Sequence, residues 1–136
     1  KKDKNFNQII ENFLNKSSEP FILQKFIPEV KKGDKRVLIV NGTPVAAVQR
    51  VPKNNDIRSN IHVGGTVVKT KLTKNDLKIC DTIKEELIKN NLFFVGIDII
   101  GNLLTEINVT SPTCIQEIKK LSKIDVSRKI WDELLV

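Results

Sequence analysis

Residues 96–109 read GIDIIGNLLTEINV, and three side chains in that stretch could do chemistry: Asp98, Glu106 and Asn108. Each stands where a plain core strand would carry Val or Ile. Strand side chains alternate faces, so the pairing register of the two apolar runs decides whether the carboxylates meet. A two-residue turn at Gly101 and Asn102 puts Asp98 and Glu106 on opposite faces. A three-residue loop from Gly101 to Leu103 sets Asp98 across from Glu106, Gly96 from Asn108 and Ile100 from Leu104. Glycine suits either loop, and the sequence leaves the register open. In the second register two carboxylates have Cβ atoms about 5 Å apart, a repulsion that needs compensation. Mg²⁺ would supply it, since it takes oxygen ligands, commonly one or two carboxylates with waters and phosphates. Asn108 adds a carbonyl oxygen, Gly96 leaves room for a ligand near the backbone, and a helix starting after Ser111 offers N–H groups to an anion. A merely solvated polar face, or one proton shared by the two carboxylates, is the alternative.

The elements that must position these groups follow from periodicity. Phe6, Ile9, Ile10, Phe13 and Leu14 recur at helical spacing. FILQKFI, residues 21–27, reads as a strand closed by Pro28. RVLIV and TPVAAVQRV flank Asn41 and Gly42, which predicts a hairpin with a two-residue turn. Residues 52–71 show neither period and read as a long site loop. Thr73 with Asp76 predicts a helix cap before the stripe Leu77, Cys80, Ile83, Leu87 and Ile88. Strands follow at 93–100 and 104–109. Ser111 and Pro112 read as N-cap and first residue of a helix buried through Ile115, Ile118 and Leu121, and residues 125–136 as a last amphipathic helix. Hairpins interleaved with helices predict an α+β fold, an antiparallel sheet with helices covering one face.

Composition narrows the partners. The 136 residues are 40% hydrophobic, enough for one core, with no run that approaches a membrane span. No charged, then apolar, leader opens the sequence, and the expectation is a cytoplasmic protein. Twenty-three Lys and Arg against 16 Asp and Glu give a net charge of +7, which favours anionic partners. A basic nucleic-acid-binding module is the rival from another class, but aromatics are only 5% and form no stacking platform. Cys80 and Cys114 have neither metal nor redox spacing and read as small hydrophobes. The absence of methionine suggests the end of something longer.

One stretch is more specific than any spacing. FVGIDIIGNLLTEINVTSPTCIQEI, residues 94–118, resembles the C-terminal signature of bacterial glutathione synthetase, an ATP-grasp ligase. The similarity extends through FIPEVKKGDKRVLIVNGTPV, the arginine of QRVP and the RSNIHVGG loop. It implies the C-terminal half of an ATP-grasp fold, with residues 1–20 the end of the small lid subdomain and residues 21–136 the C-terminal subdomain. It further implies that the family's N-terminal substrate domain and the first part of its ATP-grasp domain lie outside this sequence, and that this portion is inactive alone. The implied reaction phosphorylates the C-terminal carboxylate of γ-glutamylcysteine with ATP, and the amine of glycine then displaces phosphate. Catalysis of that kind rests on positioning and on cations gathered around anionic oxygens. Another ATP-grasp carboxylate-amine ligase is the nearest rival.

Carried onto this sequence, the resemblance makes Asp98, Glu106 and Asn108 the ligands of Mg²⁺ or Mn²⁺. Gln24, Lys25, Phe26 and Ile27 match the strand edge that holds adenine, and Asp34 and Arg36 form a D-x-R pattern between it and the phosphates. Arg50, Arg58 and Asn60 match positions facing phosphate or peptide, with the two arginines catalytic. Gly64 and Gly65 match the loop that closes over the reacting carboxylate, and Ser111, Pro112 and Thr113 a turn that holds substrate. His62 receives no chemistry. Thr66 stands where the family commonly has arginine, which removes a charge from the closing loop. The resemblance also allows a homo-oligomer. Substituting Asp98→Asn or Glu106→Gln in a complete enzyme is expected to abolish turnover and leave the fold intact.

Overall fold

Asn41 and Gly42 both have positive φ, 47° and 70°, the geometry that lets a two-residue turn match the twist of the strands it joins. They connect β1 (Asp34–Val40) to β2 (Thr43–Val51) in a computed structural model that describes residues 4–53 and 65–135. The other elements among the described residues are α1 (Phe6–Lys16), a short 3-10 helix (Pro28–Lys32), β3 (Thr66–Lys69), α2 (Lys74–Lys89), β4 (Phe94–Ile100), β5 (Leu103–Asn108), α3 (Ile115–Ser122) and α4 (Val126–Leu134). The strands form one antiparallel sheet in the order β3-β2-β1-β4-β5. β1 is therefore central, and its side chains alternate between two cores.

On one face Val37, Ile39, Ala47, Val95, Ile97 and Ile99 pack beneath Cys80 and Leu87 of α2. On the other, Leu38, Ala46 and Val48 pack beneath Cys114, Ile118 and Val126. Full burial of each Val, Leu or Ile among them contributes about 1.5–3 kcal/mol before the entropy of ordering is subtracted. The α+β class is as expected, but helices cover both faces of the sheet rather than one. α2 also starts as expected: Thr73 accepts from the Asp76 backbone at 3.2 Å while the Asp76 carboxylate accepts from the Thr73 N–H at 2.8 Å.

Four local expectations are corrected. Residues 21–27 form no strand, and Ile22 and Leu23 are 84% and 62% exposed. Branched residues favour a strand because they fit a half-buried pleated surface, and no neighbouring strand offers one here. Residues 66–69 are not loop but the edge strand β3, paired with Val48 to Val51 of β2. Ser111 is not a helix cap: it has φ 47°, Cys114 has φ 87°, and α3 begins at Ile115. Pro112 is instead a buried wedge against Gly96, where an added Cβ would sit 2.7 Å from the proline.

Candidate functional site

The register of the sheet builds a row of charge across four strands. Gly33 sets its start: with φ 89° and an added Cβ only 1.9 Å from the Arg50 carbonyl oxygen, no other residue could bring β1 so close to β2. Asp34 then pairs with Arg50, Arg36 with Asp98, and Asp98 with Glu106. Asp34, Arg36, Arg50 and Asp98 are all buried, on the face shared with Leu38 and Val48.

Each guanidinium is held by carboxylates. Arg36 donates from Nε to Asp98 Oδ1 at 2.5 Å and from Nη2 to Oδ2 at 2.8 Å, a two-pronged bond. Arg50 donates from Nε to Asp34 Oδ1 at 2.5 Å, and its Nη2 forms an ion pair with Asp98 Oδ2 at 2.7 Å. Burial alone would raise the pKa of Asp98, but the hydrogen bond and charge of Arg36, then those of Arg50, outweigh it and hold the carboxyl below its ordinary value. For Arg50, burial favours loss of the proton, and Asp34 and Asp98 reverse it, so the net shift is upward. The Arg50 guanidinium therefore stays charged in a place where water screens it poorly.

The hairpin carrying the acidic pair uses both registers that the sequence left open. Next to the turn, Ile100 faces Leu103 and Ile99 faces Leu104, as a two-residue turn requires. A bulge between Asp98 and Ile99 then inserts Thr105 as an extra residue on β5. Beyond it Asp98 faces Glu106 and Gly96 faces Asn108. The pairing of Ile100 with Leu104 expected from a three-residue loop does not occur. The Thr105 hydroxyl donates to the Asp98 carbonyl oxygen at 3.0 Å, across the bulge.

Glu106 is the exposed end of the row. Burial, the charge of Asp98 and a hydrogen bond with it raise its pKa, and the more distant arginines only partly offset this. With the Asn108 amide turned so that its nitrogen donates to Glu106 Oε1 at 2.9 Å, its oxygen accepts from Arg36 Nη2 at 3.2 Å. The two arginines thus compensate Asp98, a role the sequence reading gave to a cation. The row retains three carboxylates against two guanidiniums among the described residues, with Glu106 the group left with a like-charged neighbour. No group of three or more His, Cys, Asp and Glu side chains among the described residues is placed to hold a metal. Gly96 does not open space for a ligand, because Pro112 and the Arg36 side chain occupy it.

Beside the row lies a cleft of about 280 Å³ lined by Gln24, Lys25, Phe26, Ile27, Val30, Ile100 and Thr105. The four residues matched to an adenine edge are therefore together, although they form no strand. Val30, Ile100 and Thr105 were missed as lining residues. A signal for the bulge was present: Leu104 and Ile107 are three apart, yet both reach the α2 side of the sheet, opposite Ile99 and Ile97, only if one residue is extra between them. Ser111 and Thr113 are exposed on either side of buried Pro112, and Gly65 immediately precedes β3. Arg58, Asn60, His62 and Gly64 lie outside the described residues.

The family model for the ATP-grasp domain of prokaryotic glutathione synthetase matches residues 1–123, and the five-stranded antiparallel sheet with its helices fits part of such a domain. Glutathione synthetase of Agrobacterium fabrum is 48% identical over 132 residues, 97% of this chain and 41% of that protein. The enzymes so named from Prochlorococcus marinus and Bradyrhizobium diazoefficiens are each 48% identical, over 93% and 97% of this chain. The chain belongs to the prokaryotic glutathione synthetase ATP-grasp family. It spans about two fifths of the length of these curated relatives.

Proposed function

We propose that this chain supplies the nucleotide and cation half of a glutathione synthetase site, and that in its full-length context the protein ligates γ-glutamylcysteine and glycine with ATP through an acyl phosphate. The single observation that carries the reading is the placement of Glu106 beside Asp98, at the end of a buried charge row and next to the cleft shared by Phe26 and Thr105. The cleft takes the adenine. Its walls include Phe26, Ile27 and Ile100, which suit the flat faces of a base. Arg36 and Arg50 present fixed positive charge to phosphate oxygens, with Asp34 and Asp98 setting their geometry. Arg58, Asn60, Gly64, Gly65 and the turn at Ser111, Pro112 and Thr113 complete the contacts to peptide and glycine.

A hard divalent cation would find oxygen donors here: Glu106 has the like-charged Asp98 as its neighbour, and the Asp98 and Asn108 oxygens on the same face, which Arg36 and Arg50 hold, would be shared with the ion. Mg²⁺ or Mn²⁺ held there would neutralise phosphate oxygens. Residues 1–20 form the end of the lid subdomain in this reading and residues 21–136 the C-terminal subdomain. The two buried free thiols suit a reducing compartment such as the cytoplasm, and a homo-oligomer fits the family.

The test is phosphate release from ATP by a polypeptide of the relatives' full length that contains this chain. Release that needs γ-glutamylcysteine and glycine together supports the reading. Release with a different carboxylate and amine would assign another ATP-grasp ligase, and nucleotide-independent activity would discard both.

A further inference from the structure

Thr105 belongs to two features at once. It is the extra residue of the β5 bulge, and it lines the cleft with Phe26 and Ile100. Were the bulge absent, the turn at Gly101 and Asn102 would fix the simpler register along the whole hairpin. Glu106 would then point to the α2 side, where Ile97 and Ile99 are packed, and Asp98 would lose it as a neighbour. A bulge leaves the ladder locally broken, and the Thr105 hydroxyl bonded to the Asp98 carbonyl repairs it at that point. We infer that Thr105 is a positioning residue: its hydroxyl closes the bulge that holds Glu106 and Asn108 on the face of Asp98, and so sets the geometry of the cation ligands from inside the nucleotide cleft. This rests on the proposed reading of Asp98, Glu106 and Asn108 as cation ligands.

The test compares wild type, Thr105→Val and Thr105→Ser, with Ile118→Val, in the core beneath α3 on the same face of the sheet, as a control for general loss of stability. Two readouts are taken on the 136-residue chain: Mn²⁺ binding, from the relaxation of water protons, and cross-strand NOEs that register Gly96 against Asn108. Thr105→Val keeps the shape and removes the hydroxyl, and it should weaken Mn²⁺ binding about tenfold or more, the usual cost of losing a group that orients ligands. The Gly96–Asn108 NOEs should weaken or shift toward Gly96–Ile107. Thr105→Ser should restore both readouts, and Ile118→Val should change neither. Thr105→Val with unchanged Mn²⁺ affinity and an unchanged register would overturn the role of Thr105 and leave the proposed function standing. Wild type and Glu106→Gln binding Mn²⁺ equally would instead contradict the ligand assignment. In that event the NOEs alone decide whether Thr105 sets the register.

Discussion

Asp98 accepts two hydrogen bonds from Arg36 and pairs with Arg50, both buried, so its charge is part of what holds the sheet together. Its isosteric replacement would leave Arg36 and Arg50 facing a neutral amide in a buried place. Asp98→Asn should therefore destabilise the fold by about 3–5 kcal/mol, read from urea unfolding. This departs from the expectation of an intact fold. Glu106→Gln has the opposite character: it removes the repulsion with Asp98 and sits at the exposed end of the row. It should leave stability within about 0.5 kcal/mol of wild type. Equal destabilisation by the two substitutions would contradict the division of labour between an arginine-held carboxylate and one left for a cation. The residue types at this site were legible from the sequence, because carboxylates and an amide inside apolar strands stand out. Their compensation was not, since Arg36 and Arg50 come from other strands and only the sheet register brings them to Asp98.

At the scale of elements, the start of α2 ties a helix cap to a partly buried ion pair. Lys35 Nζ lies 2.6 Å from Asp76 Oδ2, and Asp76 also makes both bonds of the capping box. Burial pushes the Asp76 carboxyl up, but the hydrogen bond from Lys35 and those from Thr73 outweigh it, so its folded pKa lies below the ordinary 3.8. A depressed folded pKa means stability that is present above the unfolded value and is lost as pH falls toward the folded one. The stability difference between wild type and Asp76→Asn, from thermal unfolding, should be constant from pH 7 to about 5 and shrink below about 4. A difference that grows on acidification would have the wrong sign. The cap was readable because Thr73 and Asp76 stand at fixed local spacing. Residues 21–27 and β3 were misread for the converse reason: their state depends on which strand lies alongside, and TVVK acquires a partner while FILQKFI does not.

At the scale of the whole molecule, the described sheet lies between two cores, and the charge row lies on the face it shares with Leu38 and Val48. The two cores share no side chains, since successive residues of β1 face opposite ways. Ile97→Val and Ile118→Val should each cost about 0.5–1.5 kcal/mol. Their double variant should equal the sum within about 0.5 kcal/mol, measured as a cycle in urea. A larger deviation would show that the sheet transmits strain between its faces.

Paramagnetic broadening reports where a cation sits without any need for turnover. Mn²⁺ titrated into the isotopically labelled chain should bleach first the amides of residues 96–98 and 106–108, and Glu106→Gln should abolish that pattern. Broadening centred elsewhere, for instance on the acidic side chains Asp81 and Glu85 of α2, or none at all near Glu106, would contradict the reading of Asp98, Glu106 and Asn108 as cation ligands.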